Sequence, residues 1–579
     1  MSLPASRSVL TSYGWLIAPV MAVVLTVTTF SNIPLMEKFF TYGYYYVLTS
    51  IFALWIWISL DSAKRNRLLD LLKADAGGLL FCIAMTAIVF VSVAPTLRVL
   101  FDQTNIIAVS KSLTFDRTVN NTLEGYWIHE NFYPSLQTVE PRPFMMSFWI
   151  HLCHAVSGYR VENAYAVNAL MLFGILSLAF MTVKRWLGSS WGYAVVLLIS
   201  AQPVITQTAT SAGLEMMNAF FFFMMLLSAA WAARAPSAER LLLLWAQLLM
   251  FAYTRYEAVV PAFTTVALLV LFRRIKLADL KGNLLLYSMT PLLLLPYFWQ
   301  ARITWKSHFD AMITSKPLDV PAFSAAYLFE HNLLFFKKIF LLNSSLPYAG
   351  LVNILGAAGL IIFFYRFLAG KTRIRRHEGA LVWISGIAVI ELWVIFTGYY
   401  YGNCDQPAEA RFFTIFMILF SCAAVYGMSR LKFFRLPFVA ILFSASCFMI
   451  YHPVSIESRF SNNFEGAREH RAIVRFLSRQ PDKDYLVIYY WPGAFTVYNM
   501  NSISFQTANL QPSKIKAMLF EKRRFREIFV FQRFYRGSEE PAKWFKLVPD
   551  YDLETVAELP ALNQGLIRVS RVVQKTRPA

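Results

Sequence analysis

Arg255 and Glu257 stand two residues apart in the stretch FAYTRYEAVV, between the apolar runs LLLLWAQLLM and PAFTTVALLVLF. Each flanking run offers about 14 residues, roughly 21 Å of helix, which is shorter than a hydrocarbon core of ~30 Å. The charged tip therefore sinks below the membrane surface, where a charge costs at least ~2.5 kcal/mol. Other charges share that level. Glu215 opens the uncharged run in TSAGLEMMNAFFFF, Asp405, Glu409 and Arg411 lie in YGNCDQPAEARFF, and Asp102 follows the third apolar run by a few residues. A carboxylate at such an interface can take the proton of a hydroxyl acceptor. Arginines there can hold a phosphate bidentately and offset the charge of a phosphate leaving group. The set suits transfer from a lipid-phosphate donor to a hydroxyl. A buried ion pair that merely locks two helices is the alternative for Arg255 and Glu257.

The elements that must position these residues are membrane spans. The chain is 57% hydrophobic and 16% aromatic, with a positive mean hydropathy. Apolar runs recur from Trp15 to Tyr451, and we place spans near 14–34, 43–60, 78–97, 161–184, 190–206, 213–233, 239–253, 257–272, 283–302, 346–366, 379–399, 409–428 and 435–451, about thirteen in all. Arg7 precedes the first run and no small-residue cleavage site follows it, so it reads as a retained helix. Lys64, Arg65, Arg67 and Lys73, then Lys184 and Arg185, Arg234 and Arg240, Arg273 to Lys281, Arg373 to Arg376, and Arg430 to Arg435 mark alternate loops as cytoplasmic. The N-terminus is then inside and everything after Tyr451 outside. Much of the net charge of +20 is this topology signal together with contacts to anionic lipid, so nucleic acid is not expected as a partner. Cys82, Cys153, Cys404, Cys422 and Cys447 lie mostly in or beside apolar runs, and no disulfide framework is expected.

Three segments interrupt the spans. The outer loop 98–160 is too long for a simple connection and too aromatic for disorder. Its stretch Phe144 to Val156 is expected to lie in the interface as a helix anchored by Trp149. The outer segment 303–347 is amphipathic, with Lys306, His308, Asp310, Lys316 and Asp319 among apolar residues and Lys337 and Lys338 in FFKKIF; it reads as a solvated surface helix or as a basic approach for an anionic substrate. The tail has the composition of a soluble domain: AREHRAIVRFLSRQ is helical in period, and DYLVIYYW, REIFVFQRF and GLIRVSRVV read as strands. It carries no phosphate-binding glycine loop, so an accessory or acceptor-docking role is expected. Together these give an N-terminal two-helix extension at 1–77, a transmembrane catalytic domain at 78–451 and an extracytoplasmic α/β domain at 452–579. In HLCH, His151 and His154 are expected to be hydrogen-bonded interface residues and not zinc ligands. NNT at Asn120 and NSS at Asn343 match the N-glycosylation pattern, which matters only in a eukaryotic host.

The order of these features resembles the GT-C superfamily of membrane glycosyltransferases. An aspartate opens the first large outer loop in LFDQTNIIAVSKSL, a proline-marked helix follows in EPRPFMMSFWIHLCHAVSG, and then comes the span-opening ENAYAVNALMLFGIL. SAGLEMMNAFFF, YTRYEAVVP and PAEARFFTIF look like the GLET, TRPEG and late Arg-Phe elements of arabinofuranosyltransferase-like members. Gln103 stands where those members often have a second acid, and Tyr256 replaces the proline of TRPEG.

The resemblance implies an inverting, direct displacement on a polyprenyl-phosphate sugar at the outer face of the bacterial inner membrane. Asp102 would be the general base, with Asp116 in TFDRTV the second candidate. Arg255 and Arg411, and more weakly Arg142, would hold the donor phosphate. Glu215, Glu257 and Asp405 would orient the sugar or acceptor, and Glu215 and Glu257 would ligate a divalent metal if one is used; the chemistry does not demand one. Arabinofuranose is the sugar the motifs suggest. A surface protein such as a pilin, a polysaccharide or a lipid glycan would be the acceptor. A flippase for lipid-linked sugar and a ligase using a lipid-diphosphate glycan are the rival functions.

Overall fold

The structure is a computed structural model. It describes residues 32–66, 68–128, 131–140, 142–276, 323–340, 349–371, 376–404, 407–430, 465–481, 484–561 and 565–574, with the isolated positions 20, 24, 321 and 444. The runs expected at 14–34, 283–302 and 435–451 lie wholly or almost wholly outside the described residues.

Fifteen helices matter here: α1 (Tyr44–Arg65), α2 (Ala76–Ser92), α3 (Leu100–Phe115), α4 (Met145–Ser157), α5 (Asn163–Leu187), α6 (Ser189–Ala201), α7 (Pro203–Ala209), α8 (Glu215–Arg234), α9 (Ala238–Ala252), α10 (Val259–Leu271), α11 (Ala325–Ile339), α12 (Gly350–Leu368), α13 (Arg376–Gly398), α14 (Thr414–Arg430) and α15 (Glu465–Ser478). Among the described residues six helices are long and apolar enough to cross a membrane, which makes the chain a multi-pass membrane protein. The run at 190–206 is not a straight span. It breaks between α6 and α7 with a bend of 74°, because Pro203 has no N–H to continue the ladder and Gln202 before it is extended.

The bundle packs α8 between α5 and α9, α10 against α13, and α14 against both α6 and α12. The α12–α14 contact is the closest. A Cβ on Gly359 would lie 1.9 Å from the Ala423 carbonyl oxygen, one on Gly356 2.6 Å from that of Phe420, and one on Gly427 2.9 Å from the Gly359 Cα. The two backbones touch as small-residue seams in membranes do. Gly359→Val is therefore expected to cost about 1–3 kcal/mol or more through overpacking, read as a lower thermal midpoint of the purified protein. Melting at the wild-type temperature would show that the seam can open freely.

At one end of the bundle stands a seven-stranded sheet of order β2-β1-β4-β3-β5-β7-β6. β3 (Tyr485–Ile488), β5 (Glu527–Phe534) and β7 (Leu566–Val573) are the tail strands expected from the sequence, and α15 is the expected helix. The additions are β4 (Asn501–Ile503), β6 (Asp552–Pro560) and the hairpin β1 (Asn120–Ile128) with β2 (Asn131–Val139) from the first long loop. β3 pairs in parallel with β4 and β5, and β1 joins β4 antiparallel at Gly125 and Ser502. The sheet thus continues from the loop into the tail.

The α4 helix is where expected, and Trp149 is half-buried against a neighbouring helix instead of standing free. Its ring packs edge-on against Phe52 at 5.2 Å and Trp55 at 5.9 Å of α1. The reason is that α1 occupies the flank where lipid was expected, fixed by a hydrogen bond from Trp55 Nε1 to Gln247 Oε1 of α9 at 3.2 Å. In the second amphipathic segment α11 buries His331, Phe335 and Ile339. It exposes Phe329, Leu333 and Phe336 together with Glu330 and Lys337, so its open face is amphipathic.

Candidate functional site

The α3 helix starts directly after a pinned turn. Arg98 is buried and donates from Nε to the Gln207 carbonyl at 3.0 Å and from Nη2 to Thr210 Oγ1 at 2.9 Å. Its own N–H is capped by Gln103 Oε1 at 2.8 Å, which gives the residue standing in the second-acid position a structural task. Asp102 falls in the first turn of α3 and is held from both sides. Arg142 Nη2 reaches its Oδ1 at 2.7 Å and Arg411 Nη2 its Oδ2.

From there charges alternate in a continuous row. Arg142 also pairs through Nη1 with Glu140 Oε1 at 2.8 Å. The Arg411 Nε lies 3.2 Å from Glu215 Oε1, and Arg255 Nη1 lies 3.4 Å from the same oxygen. Arg255 Nε closes the row on Glu257 Oε1. The row runs from wet to dry. The Asp102 and Arg142 side chains are 23% and 32% exposed, those of Glu215 and Glu257 only 4% each. Asp102 and Arg142 therefore form its mouth and the two glutamates its floor. Phe412 forms a wall, 4.7 Å from the Arg255 guanidinium and 5.2 Å from that of Arg411, contacts that favour desolvated cations.

Local sequence explains how the floor is built. The α8 helix begins on Glu215 after a turn whose Ser211 and Gly213 carbonyls both accept from Asn168 Nδ2, at 2.7 and 2.9 Å. A Cβ on Gly213 would stand 2.2 Å from Glu215 Oε2, so only glycine leaves room for this carboxylate. Gly213→Ala should displace a flexible side-chain end and not backbone. We expect normal yield and melting, but activity down by tens-fold to about 100-fold, since misplacing a group by ~1 Å is enough for that loss. Full activity in the alanine variant would remove Glu215 from the working set.

Burial pushes the Asp102 carboxyl up, but Arg142 and Arg411 outweigh it and hold the group well below the usual carboxylate range. Glu140 is shifted the other way, since burial and the neighbouring Asp102 charge prevail over Arg142. Glu215, Glu257 and Glu409 each keep one buried oxygen without a hydrogen-bond partner. Among the described residues no donor meets these three oxygens.

The structure thus brings together Asp102, Arg142, Arg255, Arg411, Glu215 and Glu257. It leaves Asp116 elsewhere: exposed, at the far end of α3, 14 residues on and roughly 21 Å along the axis. Burial raises its carboxyl and Lys111 opposes that. Asp405 lies outside the described residues. Glu140 is a residue that sequence reasoning missed; it is buried and accepts from Asn105 Nδ2 at 2.9 Å and Asn121 Nδ2 at 3.2 Å. Its signal was the spacing of Glu140 and Arg142, the same two-residue step as Arg255 and Glu257. His151 and His154 bridge α4 to α3 through Thr114 Oγ1 at 3.0 Å and Ser110 Oγ at 3.1 Å. Among the described residues no three His, Cys, Asp or Glu side chains come together as a metal site would need.

No protein-family model matches the chain, and no curated protein matches it by sequence. Solved structures do match. ArnT from Cupriavidus metallidurans bound to undecaprenyl phosphate superposes with a TM-score of 0.54 at 12% identity, over 86% of this chain and 98% of that one. Its apo state gives 0.53 with the same identity and coverage. The oligosaccharyltransferase of Archaeoglobus fulgidus in complex with zinc and sulfate reaches 0.42 at 12% identity, over 78% and 67%. At such identity the likeness is one of fold: the chain shares its overall fold with ArnT.

Proposed function

We propose that the chain is a GT-C glycosyltransferase that moves one sugar from a polyprenyl-phosphate donor to a hydroxyl acceptor. The single observation that carries this is Asp102 held between Arg142 and Arg411 at the open end of the charged row. A carboxylate and a phosphate are competing ligands for the same guanidinium forks. The donor phosphate takes Arg142 and Arg411 from Asp102, and Arg255 supports it from the floor. Asp102, relieved of its two cations, becomes more basic at the moment the donor arrives. It then accepts the proton of the acceptor hydroxyl while that oxygen attacks the anomeric carbon from the face opposite the phosphate. The bond from the anomeric carbon to the phosphate oxygen breaks, and its electron pair leaves on the lipid phosphate, which the arginines stabilise. One new glycosidic bond of inverted configuration, one lipid phosphate and one proton on Asp102 result. The spare oxygens of Glu215 and Glu257 receive sugar hydroxyls, with Asp405 in the same role.

The reaction is placed at the outer face of the bacterial inner membrane, with the N-terminus in the cytoplasm, the basic loops supporting that orientation. The sheet beside the mouth offers a surface to a protein, polysaccharide or lipid-glycan acceptor. Arabinofuranose is the first sugar to try. The test is transfer by the purified chain in lipid, supplied with a panel of polyprenyl-phosphate monosaccharides and envelope acceptors, with and without a chelator. Appearance of free polyprenyl phosphate with sugar on the acceptor supports the reading. Consumption only of lipid-diphosphate glycans would make it a ligase, and movement of intact lipid-linked sugar across the bilayer would make it a flippase.

A further inference from the structure

The tail segment that follows β3 lies along the whole of α3. At one end the Trp491 ring stacks on Phe101, with centroids 3.5 Å apart and planes 28° apart. Its Nε1 donates to Thr104 Oγ1 at 3.1 Å. Phe101 and Thr104 flank Asp102 within a single turn, and Trp491 is only 5% exposed. At the other end Lys111 Nζ donates to the Thr496 carbonyl at 3.0 Å while sitting over the rings of Phe132 at 4.7 Å and Tyr159 at 5.5 Å. Tyr159 in turn donates to the Val497 carbonyl at 2.6 Å. The same tail grips the hairpin whose end leads through Glu140 to Arg142: Thr496 Oγ1 donates to the Thr122 carbonyl at 3.3 Å, and the Trp127 N–H donates to Asn501 Oδ1 at 2.7 Å.

Both members of the Asp102–Arg142 pair are therefore mounted on elements that the tail clamps. We propose that Trp491 is a positioning residue, and that through its stack on Phe101 and its hydrogen bond to Thr104 the C-terminal domain sets where Asp102 stands against Arg142. This rests on the reading of Asp102 and Arg142 as base and phosphate ligand. It makes the tail a working part of the site and not only an accessory surface. The first turn of a helix is its most easily displaced part, since its N–H groups have no partners within the helix. A flat, buried ring against that turn fixes its direction.

The experiment uses the full chain in lipid nanodiscs with Trp491→Phe, Trp491→Ala, Thr104→Val and the Phe/Val double variant. Undecaprenyl phosphate is the binding probe, so that one readout needs no turnover. Trp491→Phe keeps a ring and loses the donor; kcat should fall about tenfold with donor KM nearly unchanged, as loss of one well-placed hydrogen bond gives. Thr104→Val should lose at least as much, since it also gives up the bond from Thr104 Oγ1 to the Leu100 carbonyl at 2.6 Å, and the double variant should be no worse than Thr104→Val, because the Trp491–Thr104 bond can be lost only once. Trp491→Ala should lose about 100-fold. In that variant the acid limb of kcat/KM should move to higher pH, because a loosened ion pair lets the Asp102 carboxyl rise. Additive losses, or a wild-type kcat and acid limb in folded Trp491→Ala, overturn the proposal, and a lower melting temperature alone counts against it. If the wild-type chain shows no transfer, the functional reading fails separately. The positioning claim then stands or falls on undecaprenyl phosphate affinity, which should tighten several-fold in Trp491→Ala because a loosened Asp102 competes less for the arginine forks; unchanged or weaker binding overturns it.

Discussion

Asp102→Asn should abolish transfer while leaving the lipid-phosphate donor bound as tightly as before or more so. The loss in kcat should be about 10²–10⁴-fold, the usual worth of a positioned general base. The gain in affinity follows from the geometry: Arg142 and Arg411 both spend a hydrogen bond on this carboxylate, and the amide competes less well with a phosphate for them. The pH profile gives the sign of the coupling. In the free protein the Asp102 carboxyl is held below its ordinary value, so the acid limb of kcat/KM should lie below about pH 4. Once the phosphate has taken the arginines, the limb in kcat should lie higher. The stability this pair contributes is present above the unfolded value and is lost as pH falls through the folded one. An Asn variant with full turnover, or identical limbs in both profiles, would refute the base assignment.

Arg411→Ala should have the second large effect, on folding as well as turnover. Arg411 alone joins the mouth of the row to its floor, touching Asp102 and Glu215. Removing it leaves a carboxylate only 4% exposed with one arginine at 3.4 Å. Breaking such a pair from one side costs roughly 3–5 kcal/mol. We expect a clearly lower melting temperature and no detectable transfer. Arg411→Lys keeps the charge and loses the fork, so it should fold better and still turn over poorly. Arg411→Ala with Glu215→Ala should recover melting and not activity. A single alanine variant that melts and turns over normally would mean the row is decoration.

The parts of this site that could be read in the sequence are those where a charge was expensive. Arg255, Glu257, Glu215 and Arg411 break apolar runs, and that cost announces them. Arg142 and Glu140 sit in a loop, where charges are cheap, so nothing in the sequence announces that Glu140 is buried or that Arg142 meets Asp102. The α6–α7 bend hides inside a continuous apolar run, marked only by Pro203. The hairpin β1–β2 was invisible for a different reason. Its burial does not alternate along β1, since α3 and the tail segment after β3 both pack on it, and its partner β4 is a three-residue strand too short to show a period. Trp149 had the right chemistry for an interface and a helix already standing there. Local pattern reports cost and periodicity, whereas these partners are set by distant chain.

That shared sheet has a consequence for how the protein is made. The N–H of Trp127 waits for an acceptor 374 residues later in the chain. At a translation rate of ~5–20 residues per second that is roughly 20 to 75 s. During that interval the first loop has an open strand edge and no β4 to cover it. A stalled or prematurely ended chain would carry every span before the tail and Asp102, Arg142 and Arg411 as well, yet have nothing to hold the mouth together. The charged row should therefore assemble only after β4 has been released, which ties the mouth of the site to synthesis of the tail.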